Sequence, residues 1–190
     1  MTGSIVFLNG ASSAGKSTIA AAAQRVFPAA FWHYSIDHLL QARVLPTARI
    51  ESGESPWAAL REPFFEGYHR SIPVWAGAGN HLIVEHIVES ERWMQRLTRL
   101  LRGLDVFMVG VHCPLDELQR REAARGDRPA GMAATDFEIA HRHCAYDLEI
   151  DGTQDPAASA EALLRAWQAR GAQRAIDRMA TRLDGGAPCT

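Results

Sequence analysis

The sequence predicts an α/β fold: a five-stranded parallel sheet with helices on both faces. Three observations carry that prediction. Apolar runs of strand length alternate with helix-length segments along the 190 residues, the order that covers a parallel sheet with crossover helices. The first apolar run leads straight into a glycine-rich turn and then a helix. No internal repeat or linker composition interrupts the chain, so a single domain over 1–190 is expected.

Each element has its own signal. Residues 4–9 (SIVFLN) are apolar and rich in β-branched side chains, the pattern of a buried parallel strand. Residues 16–26 (KSTIAAAAQRV) are strong helix formers closed by Pro28. A second strand is expected over 31–36, followed by Asp37 and a short helix ending before Pro46. Residues 46–56 (PTARIESGESP) read as an exposed insertion rich in turn formers. From Trp57 to Trp75 the apolar spacing is helical, with Pro63 and Pro73 marking boundaries or kinks. Residues 81–88 (HLIVEHIV) form the third strand, and 90–103 an amphipathic helix that Ser90 can cap and Gly103 can end. The fourth strand is 104–113, followed by a helix over 114–125 with proline in its first turn. A flexible, arginine-bearing loop, 126–133, precedes a helix at 135–144 and a fifth strand at 146–153. Residues 158–170 make the next helix, and the tail from 171 adds a further helix before fraying at GGAPCT.

Composition narrows the function classes. The chain is 47% hydrophobic and 22% charged, with a formal net charge of −2 and a pI near 6.4. That balance carries no electrostatic footprint for nucleic acid or an anionic membrane. No apolar run has the length of a membrane span and no signal peptide opens the chain, so a cytoplasmic protein is expected. Cys113, Cys144 and Cys189 are too few, and odd in number, for a disulfide framework. Lys16 is the only lysine, every other basic side chain being arginine.

Gly10-Ala11-Ser12-Ser13-Ala14-Gly15-Lys16-Ser17 matches G-x-x-x-x-G-K-[ST] at every fixed position, between a predicted strand and a predicted helix. Glycine at both ends lets successive N–H groups turn inward around phosphates, and the helix dipole adds positive potential there. Lys16 is expected to reach the β- and γ-phosphates, and the Ser17 hydroxyl to take a Mg²⁺ position, with Thr18 completing the ATP-binding turn. The fold is therefore expected to be that of the P-loop NTPases.

Asp37 follows the second strand, at the same sheet edge as this loop. It suits a base or orienting group for an acceptor hydroxyl, and equally an N-cap for the helix that follows. Glu85 ends the apolar run of the third strand and is the candidate acid acting on Mg²⁺ or its bound water. His86 and Glu89 are placed at the acceptor pocket, as are Trp57, Phe64, Phe65 and Tyr68, whose other reading is core. Arg121 and Arg125 share a helix face, and Arg128 lies in the glycine-flanked loop beyond. Together they suggest a lid at about 125–133 whose cations neutralise a transferring phosphoryl group, the plainer alternative being a solvated helix paired with Glu122. His112-Cys113 and His141-x-His143-Cys144 match no standard zinc spacing and are expected to be surface or core residues.

LNGASSAGKS, Asp37 and especially REAARGDRPAGMAA (121–134) resemble the chloramphenicol phosphotransferase family, and His141 with the YDLEID stretch fits the same pattern. The resemblance runs from about residue 5 to residue 153. It implies an adenylate-kinase-like core and an ATP-dependent kinase acting on a primary hydroxyl of the antibiotic. By that resemblance Asp37 is the catalytic base, Gly10 through Ser17 bind ATP, and Arg125 and Arg128 contact phosphate. The chain departs from the family pattern at Glu85-His86, where two consecutive aspartates are the rule, across Arg43 to Glu66, and after Arg170. The expected reaction is ATP-dependent phosphorylation of a small-molecule alcohol, chloramphenicol or a related compound leading. Asp37 would act on the hydroxyl, Lys16 and Arg128 on the phosphoryl, and Ser17 with Glu85 on Mg²⁺. A housekeeping small-molecule or nucleoside kinase is one alternative, and a nucleotide-dependent switch without an acceptor is another. The oligomeric state stays open, a homodimer being one option.

Overall fold

The computed structural model describes residues 1–125 and 131–185. Five strands, β1 (Ile5–Asn9), β2 (Phe31–Ser35), β3 (His81–His86), β4 (Val106–His112) and β5 (Leu148–Asp151), form one sheet in the order β2-β3-β1-β4-β5. Every pairing is parallel. The central strand, β1, is buried along its whole length. Its side chains alternate between two cores, as the two-residue period of a strand requires. Val6 and Leu8 join Ile19, Ala23, Phe27, Val109 and Leu163 on one face. Ile5 and Phe7 join Tyr68, Ile72, Trp93, Leu97, Met108 and Ile176 on the other.

The first face is covered by α1 (Lys16–Val26) and α8 (Pro156–Gln168), the second by α4 (Trp57–Gly77), α5 (Glu91–Leu101) and α9 (Ala175–Asp184). Between them lie the short α2 (Ile36–Gln41) and α3 (Thr47–Glu51), with α6 (Leu115–Arg125) and α7 (Met132–Ile139) above β4. Two features differ from the sequence expectation. The segment 46–56 is not wholly irregular, since it holds α3. Pro63 and Pro73 do not end or divide a helix: α4 runs through both for 21 residues. Its buried stripe of Phe65, Tyr68, His69, Ile72 and Ala76 anchors it to the sheet, and that packing offsets the hydrogen bonds the prolines remove.

The tail adds the expected helix, α9, whose buried face joins the core, with Ala175 and Ile176 fully buried and Met179 nearly so. Asp105 holds this end by accepting from Arg170 at 2.8 Å and from Arg174 at 3.0 Å. Burial alone would raise its carboxyl, but the hydrogen bonds from Arg170, Ser4 and Arg174 win and hold it at about 2. Asp147 fastens α9 again, accepting from the Ala175 N–H at 2.6 Å and the Met108 N–H at 2.9 Å.

Register decides what meets at the carboxyl edge of the sheet. Asn9 on β1 lies beside His86 on β3, and Ser35 on β2 lies beside Glu85. The turn after β1, the start of α2 and the end of β3 therefore open onto one edge, where open parallel sheets place their ligands.

Candidate active site

The turn from Gly10 to Gly15 carries two residues in the left-handed region, Ser13 (φ 65°) and Gly15 (φ 98°). Left-handed positions of this kind turn backbone N–H groups inward to form an anion-binding concavity. Lys16 opens α1 and is nearly buried, at 5% exposure. Its ammonium donates to the carbonyls of Gly10 at 2.9 Å and Ala11 at 2.7 Å. A cation is thus held at the mouth of the turn.

A cleft of about 650 Å³ opens there, a size typical of small-ligand sites. Its walls include Ser12 to Thr18, Ser35, Asp37, Glu85, His86, Arg121 and Arg125, together with Gly152 to Pro156. Most of the residues singled out in the sequence therefore share one cavity. Gly10 underlies it through its carbonyl, and Ala11 faces a smaller pocket with His112, Phe137 and His141. Arg128, and most of the expected lid, lie outside the described residues.

Glu85 links two elements. Its Oε1 accepts from the Ser17 hydroxyl at 2.8 Å, and its Oε2 lies 2.9 Å from His33 Nε2. Burial by itself would raise this carboxyl. The hydrogen bond from His33, the charge of Lys16 and the hydrogen bond from Ser17 outweigh it and hold Glu85 below the ordinary range, as a carboxylate. Two oxygen donors at one point suit a hard divalent cation such as Mg²⁺, which takes few protein ligands.

Asp37 does not cap α2. Ser35 does, accepting from the Asp37 N–H at 3.1 Å, and Asp37 lies one step inside the first turn, on the wall of the cleft. Arg121 pairs with Glu117 at 2.6 Å, and not with Glu122. Its Nη1 also donates to Ser13 O at 3.2 Å and Gly152 O at 3.0 Å, strapping the phosphate loop to the loop after β5. Glu122 instead receives the N–H groups of Gly131 and Ala133 at 3.0 and 2.8 Å, at the start of α7.

The aromatic and acidic residues expected at the acceptor pocket have other partners. Phe65 and Tyr68 are core, with Trp57 and Phe64 packed against them. Glu89 binds Arg61. The backbone of His86 reaches the cleft edge on β3, but its ring is buried, 2.8 Å from His69 Nε2 and stacked against Trp93. Burial depresses both imidazoles, His69 to about 4 and His86 well below the usual imidazole range, so both are neutral. His112 and His141, whose spacing drew attention, stack with ring centres 4.0 Å apart.

Sequence reading missed several residues of the site. Gly152 to Pro156 form one wall. A side chain at Gly152 would place its Cβ 2.0 Å from Ala14 O, so the two loops touch only because that residue is glycine. The signal available was the DGT turn at the carboxyl end of a strand. Asn9 braces the loop from below, donating to Ala140 O at 2.6 Å and the Tyr146 hydroxyl at 2.7 Å, and accepting from the Val88 N–H at 2.8 Å. His33 carried no signal beyond its place in β2.

A phosphate loop at the carboxyl edge of a β2-β3-β1-β4-β5 parallel sheet, with a buried lysine at its end and an acid bonded to the loop serine, defines a P-loop phosphotransferase of the kinase class. More particularly, the chain belongs to the family described as chloramphenicol phosphotransferase-like protein, whose model matches residues 3–168. It is 31% identical over 173 residues to a Mycobacterium tuberculosis (strain H37Rv) protein provisionally named an O-phosphotransferase, covering 81% of this chain and 77% of that one. Among solved structures it is similar to the M. tuberculosis APS kinase in complex with AMPPNP and APS, with a TM-score of 0.62, 19% identity, and 88% and 98% of the two chains covered. It is similar also to shikimate kinase from Aquifex aeolicus, with a TM-score of 0.59, 14% identity, and 87% and 96% covered. These last two likenesses concern the fold.

Proposed function

We propose that the protein transfers the γ-phosphoryl group of ATP to a hydroxyl of a small molecule, with chloramphenicol or a related hydroxylated compound as the leading acceptor. One observation carries the reading: the phosphate loop, Asp37 and the Ser17–Glu85 pair line one cleft. The acceptor oxygen attacks the γ-phosphorus, the bond to the bridging oxygen of ADP breaks, and the hydroxyl proton passes to Asp37. Lys16, at the mouth of the loop, supplies charge to the phosphates. Arg121 holds the two loops that flank the nucleotide, and Arg125 adds a cation at the end of α6.

Ser17 and Glu85 would hold a Mg²⁺ ion, which when bound neutralises charge on the phosphates. The family membership supports the phosphotransferase half of this reading. The family's description and the place of Asp37 on the cleft wall are what support the proposed acceptor. The chain works as one kinase domain, in the cytoplasm, where ATP is supplied.

The test is direct. Purified protein with Mg-ATP should release ADP and yield a phosphate ester, identified by mass spectrometry, from chloramphenicol or from a member of a library of hydroxylated compounds. ATP binding without any phosphorylated product would refute the proposal.

A further inference from the structure

Glu85 has one methylene more than aspartate, and so one more torsion to restrain if it is to present a fixed oxygen. The structure restrains it from two sides. Ser17, at the start of α1, takes Oε1 at 2.8 Å. His33, on the edge strand β2, takes Oε2 through Nε2 at 2.9 Å. His33 lies beside Ile83 in the strand register, so Glu85 is its diagonal neighbour two residues on, within reach of long side chains. Both side chains are largely withdrawn from water, at 14% and 10% exposure. The ring of His38 stands edge-on to that of His33, with centroids 4.5 Å apart, and limits its rotation.

We infer that His33 is a positioning residue for the cation site: its Nε2–H holds one oxygen of Glu85 so that the other faces Ser17. The inference rests on the reading of Ser17 and Glu85 as the residues that hold Mg²⁺. Groups that orient a ligating carboxylate in this way commonly govern metal affinity by about 10–100-fold. The bond also explains why an edge strand, remote from the phosphate loop in sequence, carries a polar ring that points toward the cleft acid.

Calorimetry of ATP binding, with and without Mg²⁺, tests it on wild type, His33→Leu and His33→Gln. Mn²⁺ binding followed by electron paramagnetic resonance gives a second readout that needs no turnover. Wild type should bind ATP more tightly with Mg²⁺ present. His33→Leu should lose about tenfold of that gain while its Mg²⁺-free affinity stays within about twofold. His33→Gln keeps an N–H donor at similar reach and should recover most of the loss. An unchanged Mg²⁺ gain in His33→Leu would overturn the inference and leave the kinase reading intact. Equal losses with and without Mg²⁺, or failure of glutamine to rescue, would mark His33 as merely structural and overturn it as well. If wild type itself gained nothing from Mg²⁺, the assignment of Ser17 and Glu85 would fall, and the role of His33 with it.

Discussion

The carboxylate of Asp136, on α7, accepts a hydrogen bond from the backbone N–H of Ser12 at 3.0 Å. Both groups are buried, so the helix that follows the arginine loop is fastened to the phosphate loop itself. Asp136→Ala removes that acceptor. The expected cost is about 1–3 kcal/mol, and with it a melting temperature lower by roughly 2–10 °C. Differential scanning calorimetry of Asp136→Ala against Asp136→Asn, which keeps an acceptor oxygen, checks this.

Asp37 and Lys16 should separate chemistry from binding. Asp37→Asn keeps the shape of the cleft wall but removes the proposed proton acceptor. Turnover should fall by about 10²–10⁴-fold while ATP affinity changes little. Lys16→Met should weaken both. Steady-state kinetics alongside equilibrium nucleotide binding distinguishes the two patterns, and an Asp37→Asn variant of undiminished rate would remove Asp37 from the reaction.

Arg121 should act on the nucleotide through geometry. Arg121→Ala frees the loop after β5 from Ser13. Hydrogen bonds to a charged group are worth about 1.5–3 kcal/mol, so the KM for ATP should rise about tenfold or more, with a smaller effect on kcat. A variant with an unaltered KM would show that the strap is dispensable.

The buried histidine pair sets an acid limit to stability. His69 in the folded protein takes a proton only at about 4, against 6.5 unperturbed. Between those values the unfolded chain binds the proton and the folded one does not. Stability is therefore level above pH 6.5 and falls as the pH drops toward 4, by roughly 3 kcal/mol from this residue. His86 is shifted in the same direction and adds to the slope. Urea unfolding from pH 7.5 to 4.5 should show the decline, and a folded His69→Phe variant should show less of it.

The tail should behave as core. Ile176→Ala is expected to cost about 2–5 kcal/mol, the range for deleting a buried aliphatic side chain. Chemical denaturation measures it. A loss below about 0.5 kcal/mol, the scale of surface substitutions, would contradict the packing of α9.

Much of this fold was legible because its signals are local. SIVFLN, the loop glycines and Lys16 are contiguous, and Glu85 closes an apolar run, so pattern alone locates them at strand ends. What escaped depends on contacts between distant segments. Proline argues against a helix interior, yet Pro63 and Pro73 lie within α4 because the sheet supplies the anchoring. Ser35 rather than Asp37 caps α2, a choice between good caps two positions apart that only backbone geometry settles. The anchoring of the last helix escaped as well, because Arg170 and Arg174 answer Asp105, which lies on a distant segment. The same holds for His33 and His69: nothing beside them in sequence announces Glu85 or His86. The expected acceptor segment, residues 43 to 90, was the part least readable, since its aromatic residues pack in the core.

Lys16 is the only lysine in the chain, and it sits nearly buried at the mouth of the phosphate loop. For reagents that acylate amines, the molecule therefore presents one side-chain target besides its terminal amine, and that target lines the proposed ligand site. Occupancy of the cleft can be followed on unmodified protein as the protection of a single peptide from labelling. No engineered reporter is needed, and arginine-rich surfaces elsewhere contribute no background.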